Sequence, residues 1–294
     1  MVGIDKETKN RIEQITNAAQ LAAVLEVSTE KPGNVTPTHD FSDTRYEDFL
    51  AGSIAIAHTI EEATLNGYKA GKGEISISEI GIGRLIFEGV SDVKKSHSGG
   101  NTHLGTLMLM IPIASAAGMC IPQRPRFNEL RKNIRKIIEG STVDDSRNFY
   151  KAIEIASVGG IRKLIKKDIS FHELMEVSTK RDRIAEELTN GMKIIFEVGI
   201  PNLEKFYNEK KNIREAILWV YLLLLSKYPD TFIAKKVGIL KAKEISEKAE
   251  EVLKGKISTE EFDRELRTDE NSLNPGTTAD MVAAILMLWF IKNY

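Results

Sequence analysis

The sequence predicts an all-α fold, a single-domain multi-helix bundle over residues 1–294 with buried central apolar helices. Three observations predict it. Apolar residues recur at three- and four-residue steps along almost the whole chain. Only residues 74–78 (Glu-Ile-Ser-Ile-Ser) alternate as a strand would, and that stretch is short. Segments 102–117, 216–225 and 281–291 are apolar nearly all round, as helices enclosed by other helices are. They are spread through the chain, so they share a core only if it folds as one unit. No Pro/Gly/Ser linker or repeat divides it.

The elements follow in order. Residues 10–26 carry Ile12, Ile15, Ala19, Ala22 and Ala23 on one helical face. Asp43 or Thr44 opens the next helix, with Thr44-x-x-Glu47 at capping-box spacing, and Gly67 is its expected stop after about residue 66. Ser78 starts a helix running through Val90. Residues 102–117 form the most apolar helix, ended by Gly118, and 127–139 follow, ended by Gly140. Ser141 or Thr142 caps a helix through Ile155. Segments 182–198, 213–225, 239–253 and 278–291 complete the set.

Composition narrows the function. Lys plus Arg total 41 and Asp plus Glu 42, a net charge of −1, which argues against a nucleic-acid binder. One cysteine, Cys120, excludes a disulfide framework or a cysteine metal cluster and fits a reduced, cytoplasmic protein. No export signal follows Met1. The uncharged run 104–123 has the length of a membrane span. Thr106, Pro112, Ser115, Gly118 and Pro122 interrupt it, so a buried core helix is expected and no membrane partner. Only three glutamines among many Lys and Glu lean toward a heat-adapted source.

Four polar segments do not read as packing. The connection from Glu26 to Asp43 is long for a helical bundle and holds Lys31, Pro32, Gly33, Pro37, His39, Asp40 and Asp43. A plain N-cap accounts for Asp43 but not for His39 and Asp40 beside it. Carboxylates so grouped repel unless a cation sits among them, and oxygen ligands suit Mg²⁺ shared with substrate phosphates. Residues 98–105, Ser-Gly-Gly-Asn-Thr-His-Leu-Gly, precede the most apolar helix. Gly99 and Gly100 at a helix start offer backbone N–H groups to an anion, with Asn101, Thr102 and His103 alongside. Asp230 through Lys235, Lys236 and Gly238 form the third segment. Asn274 through Gly276 and Asp280 form the fourth, and capped helix starts account for either one alone.

Other signals fail. Residues 67–73 miss P-loop spacing and its final Ser/Thr, and Gly81-Ile-Gly83 lacks a third glycine and a strand context. His58 and His172 sit in helical patterns. Asp144-Asp145 supports a helix start or completes a metal site, and Asp182-Arg183 reads as a helix-surface ion pair.

Together the four segments resemble the triphosphoribosyl-dephospho-CoA synthase family. Its Glu-Val-Ser, Lys-Pro-Gly-x-Val and His with nearby Asp are similar to Glu26-Val27-Ser28, Lys31 through Val35, and His39 with Asp40 and Asp43. Its Asn-Thr-His-x-Gly resembles Asn101, Thr102, His103 and Gly105. Its Asp-x₄-basic-basic-x-Gly and Pro-Gly-x-x-Ala-Asp resemble Asp230 to Gly238 and Pro275 to Asp280. The order is kept from about residue 26 to 283. Leu104 stands where the family usually has Lys, and the pattern looks like an archaeal-type branch.

The resemblance implies a transferase. Adenine leaves C1′ of ATP, an acceptor hydroxyl of a nucleotide or CoA-type molecule takes its place, and the product keeps the triphosphate. It implies Mg²⁺ on the triphosphate, held by Asp40 and Asp43 with Glu26 assisting, and His39 or His103 as the base. It implies nucleotide contacts from Gly99, Gly100, Asn101, Thr102, Asp230, Gly276 and Asp280, with Lys31, Lys235 and Lys236 neutralising charge. Two alternatives remain: an N-glycosidic nucleotide hydrolase, and a non-catalytic nucleotide-binding protein of the same fold, kept open by Leu104. A homodimer also stays open.

Overall fold

Apolar periodicity becomes helix along nearly the whole chain. The computed structural model describes residues 4–156, 168–267 and 271–293. Its helices are α1 (Lys6–Val27), α2 (Tyr46–Ala55), α3 (Ala57–Gly71), α4 (Ile82–Ser96), α5 (Leu104–Gly118), α6 (Phe127–Glu139), α7 (Val143–Ala156) and α8 (Phe171–Ser178). They continue as α9 (Arg183–Asn190), α10 (Ile200–Lys210), α11 (Ile213–Lys227), α12 (Thr231–Val237), α13 (Ile239–Leu253), α14 (Thr259–Leu266) and α15 (Gly276–Asn293). No strand occurs among the described residues. The alternating stretch 74–78 runs into a 3₁₀ turn (Ile77–Ile80), begun by the Glu79 carboxylate accepting from the Ser76 amide at 2.7 Å.

The three apolar helices are central. Every residue of α5 except Gly105 is buried, and α5 packs against α1, α3, α4 and α15. One apolar cluster runs from Ile12 in α1 to Phe290 in α15 and takes in α11. Among the described residues no single helix is long and apolar enough to cross a membrane.

Several boundaries differ from expectation, each for a packing reason. Gly67 does not end a helix; α3 continues to Gly71. A Cβ on Gly67 would lie 1.9 Å from the Ser115 carbonyl oxygen, and one on Gly118 would lie 2.0 Å from that of Thr64. The two glycines let the α3 and α5 backbones touch. Thr44 does not cap α2: Arg45 does, its amide donating to Asp48 Oδ2 at 2.8 Å. The expected helix 182–198 breaks at Gly191 (φ +73), and the Glu187 carboxylate turns to accept from the amides of Ile194 and Ile195 at 3.0 and 2.9 Å. The carboxylate of Asp145 accepts from the amides of Thr142 and Gly83, both at 2.8 Å, joining α7 to α4 as a shared cap rather than a metal ligand. Short α8, α10 and α14 were not expected, although Ser170-x-x-Glu173 is a capping box.

Candidate active site

The starts of α2, α5, α9, α12 and α15 surround a cavity with two lobes. The outer lobe is about 1200 Å³ and the inner about 160 Å³. Asn101, His103, Leu104, Asp182, Lys235 and Asn274 line both, so the lobes meet there. Segments as far apart in sequence as those of Glu26 and Asp280 thus face one space, because their helices share one core.

The inner lobe is acidic. Glu26, at the end of α1, is buried with Lys31, whose ammonium has no solvent exposure. Lys31 Nζ lies 3.1 Å from Glu26 Oε1, donates to the Thr29 carbonyl at 3.0 Å and also bonds the Glu26 carbonyl. Lys31 is therefore committed to Glu26 and is not on the cavity wall. Burial pushes the Glu26 carboxyl up although Lys31 opposes it. Asp280, in the first turns of α15, accepts a hydrogen bond from Thr106 Oγ1 at 2.6 Å. A Cβ on Gly105 would lie 2.1 Å from Asp280 Oδ2, so the bare backbone of α5 makes room for this carboxylate. Burial, reinforced by Glu26, Asp230 and Asp182, pushes Asp280 up to about 8.

His103 forms the wall between the lobes. It is buried, with Nδ1 2.7 Å from Thr102 Oγ1 and Nε2 3.2 Å from Ser53 Oγ, and its ring leans on Phe49 at 5.8 Å. Burial and the nearby His97 ring hold its pKa down to about 3, so it is a neutral imidazole at physiological pH.

The outer rim carries Asp43, Gly100, Lys94, Lys235 and Lys236. Asp43 is exposed. The Gly100 amide, read from sequence as an anion donor, instead donates to the Asp43 carbonyl at 3.0 Å. Gly99 lies against Asp48, whose Oδ2 would be 2.4 Å from a Cβ there. Asn101 Oδ1 accepts from the Leu104 amide at 3.2 Å and so caps α5. Lys236 Nζ sits 4.4 Å from the Phe232 ring centre and donates to the Asn271 carbonyl. Burial holds Lys236 down while Asp43 opposes this. Gly276 lines the inner lobe.

Besides Lys31 and Gly99, three expected residues lie off the cavity. His39 and Asp40 are exposed and line neither lobe. Proline-stiffened chain carries them outward, and Asp40 Oδ1 accepts from the Tyr46 amide at 2.8 Å at the start of α2. Asp230 is buried: Oδ1 accepts from the Phe232 and Ile233 amides at 2.8 and 3.2 Å, and Oδ2 from the Thr278 amide and hydroxyl at 2.8 Å. It caps α12 and α15 together, and both its oxygens are used.

Sequence reasoning missed Asp182 and His97, and named Asn274 only as the start of the fourth segment. Asp182 is no surface pair with Arg183, which bonds Glu186 instead. Its Oδ1 caps α9 and its Oδ2 accepts from Lys235 Nζ at 2.6 Å. An Asp before an apolar helix start gave only a capping signal. His97, four residues ahead of Asn101, gave none.

This all-helical cavity has counterparts. The family pattern described as ATP:dephospho-CoA triphosphoribosyl transferase matches residues 12–294. A probable 2-(5''-triphosphoribosyl)-3'-dephosphocoenzyme-A synthase of Acinetobacter calcoaceticus is 23% identical over 284 residues, covering 94% of this chain and 90% of the relative. Its namesake in Malonomonas rubra is 21% identical, covering 95% and 88%. The crystal structure of a candidate triphosphoribosyl-dephospho-CoA synthase from Archaeoglobus fulgidus superposes with a TM-score of 0.61 at 25% identity, over 82% of this chain and 99% of that one. The four polar segments lie within the matched span and all four send residues to one cavity: the chain belongs to the ATP:dephospho-CoA triphosphoribosyl transferase family, enzymes that move the triphosphoribosyl group of ATP to dephospho-CoA.

Proposed function

We propose that the two lobes hold the two substrates of this transfer, with the reacting C1′ carbon of ATP where they meet, beside Asn101, His103 and Asp182. The observation that carries this reading is the convergence of two carboxylates, buried Glu26 and half-buried Asp280, on an inner lobe that opens past a lysine rim. Breaking the C1′–N9 bond builds positive charge on the ribose, and carboxylates stabilise it. The triphosphate runs outward along Asn101, Lys235 and Lys236, where ammonium groups offset its charge.

Asp280 is the base in this reading. The acceptor hydroxyl oxygen bonds to C1′ as adenine leaves, and its proton goes to the Asp280 carboxylate. With a pKa of about 8 the Asp280 carboxyl is mostly protonated at neutral pH, and its ionised fraction, a strong base for a carboxylate, is what takes the proton. His103 is a poor base by comparison, since both ring nitrogens are engaged and its pKa is about 3.

The donor set fits a nucleotide-bound Mg²⁺. Such an ion draws most of its ligands from phosphate and water, so one or two carboxylates at the rim suffice. Exposed Asp43 at the rim would hold it. Bound there, Mg²⁺ supplies neutralisation of the triphosphate.

Chromatography of adenine from ATP and Mg²⁺ tests the reading. Release that requires dephospho-CoA, and that Asp280→Asn lowers without unfolding the protein, is the expected result. Release with water alone would replace transfer by hydrolysis, and no release with dephospho-CoA would overturn the assignment.

A further inference from the structure

The wall of the cavity contains a chain of hydrogen bonds whose direction can be worked out. Ser53 Oγ donates to the Phe49 carbonyl at 2.7 Å, so its one proton is spent. In its 3.2 Å contact with His103 Nε2 the serine oxygen must then accept, which puts the His103 proton on Nε2. A neutral His103 leaves Nδ1 unprotonated, so the Thr102 hydroxyl donates to it at 2.7 Å. That spends the threonine proton too, and Thr102 Oγ1 accepts from His97 Nε2 at 3.2 Å. The chain therefore begins at His97, on the outer lobe.

His97 is built in for this. Its side chain is 4% exposed, and Nδ1 is buried without a hydrogen-bond partner, 3.8 Å from Asp48 Oδ1. The charged or titratable groups that face it are Asp48 from α2, Lys94 on its own helix, and His103. A buried ring with one nitrogen unsatisfied carries a free-energy cost, so its other nitrogen is worth keeping.

We propose that His97 is a positioning residue for the transfer: through Thr102 it locks His103 as a neutral ring with its proton on Nε2. The inference rests on the reading of the cavity as the triphosphoribosyl site. There a locked neutral His103 gives a rigid wall with no positive charge beside the C1′ carbon, where positive charge develops. A free His103 hydroxyl partner would let the ring exchange tautomers and accept a proton on Nδ1.

Nitrogen NMR of ¹⁵N-histidine-labelled, ligand-free protein reads the tautomer directly. Wild type is expected to show His103 as the Nε2–H form alone. His97→Phe removes the donor, and Thr102→Val removes the relay with no change of shape. Both are expected to bring in the Nδ1–H form and to lower kcat by about tenfold or more with KM for ATP little changed. His97→Gln keeps an N–H where Nε2 stood and is expected to retain the single tautomer and most of kcat. A single Nε2–H tautomer in both Phe and Val variants would overturn the proposal, as would a His97→Gln variant no better than His97→Phe. If wild-type protein forms no product with dephospho-CoA, the functional reading fails while the spectra still decide the lock.

Discussion

The Asp182 carboxylate and the Lys235 ammonium meet at 2.6 Å on the cavity wall, tying the start of α9 to α12. Lys235 is 49% exposed there, and such pairs add at most about 1 kcal/mol to stability. A triphosphate carries more negative charge than a single carboxylate and can take this ammonium as a charge-assisted partner. Lys235→Ala should therefore leave the melting temperature nearly unchanged and raise KM for ATP about tenfold, in line with about 1.5 kcal/mol for a charged hydrogen bond. Steady-state kinetics beside a thermal melt decides it; an unchanged KM removes Lys235 from the phosphate path.

Asp280 makes stability and activity respond to pH in opposite senses. Its pKa is about 8 in the folded protein and near 3.8 unfolded. Between those values the folded state holds a proton that the unfolded state has lost, so this group's contribution declines as pH rises from about 4 to 8. Asp280→Asn, which keeps an oxygen for Thr106, should match wild type in denaturant melts at pH 4 and exceed it at pH 9. In wild type, kcat/KM should rise with pH and level off above about 8 as the base ionises. A variant less stable than wild type at pH 9 would contradict the burial argument.

Asp43 and Asp40 separate cleanly. Asp43 faces the outer lobe, and Asp40, which lines neither lobe, accepts from the Tyr46 amide at the start of α2. Titrating activity with Mg²⁺, Asp43→Asn should need several-fold more metal, whereas Asp40→Asn should follow the wild-type curve. Equal curves for the two variants would take Asp43 off the metal.

Asp230 acts on stability rather than on substrate. It caps two helices, and losing a cap costs about 1–2 kcal/mol each, so Asp230→Ala should lower unfolding free energy by about 2–4 kcal/mol. Gly67→Val should cost about 3 kcal/mol by forcing α3 from α5. Urea melts measure both; near-wild-type midpoints would deny the double cap and the close crossing.

The helices that were legible in the sequence are those whose periodicity runs long enough to outweigh local breaks. The apolar 102–117 stretch became α5, starting two residues later and ending one later, at the Gly118 that was read as its stop. Glycine was ambiguous. Gly118 both ends its helix and lets α3 approach, while Gly67 does only the second, and nothing within a window of ten residues distinguishes the two. The site was legible as types of segment. Residues 101–105 and 274–280 do face one cavity, as their order in the family pattern implied. The division of labour within each segment was not legible. Asp40, Asp43, Asp230 and Asp280 are one residue type ahead of or within helix starts, and only Asp43 and Asp280 face the cavity.

The chain by itself determined that it is helical, which helices are central, and which polar stretches are too rich for loops, because periodicity and composition are local properties. Tertiary structure alone decided that Lys31 is consumed by Glu26, that Asp182 joins the site, and that His103 sits uncharged at its wall. Those outcomes depend on burial and, for Asp182 and His103, on partners 53 and 50 residues away. Desolvation and pairing, which set charge and reach, exist only once the core has closed around them.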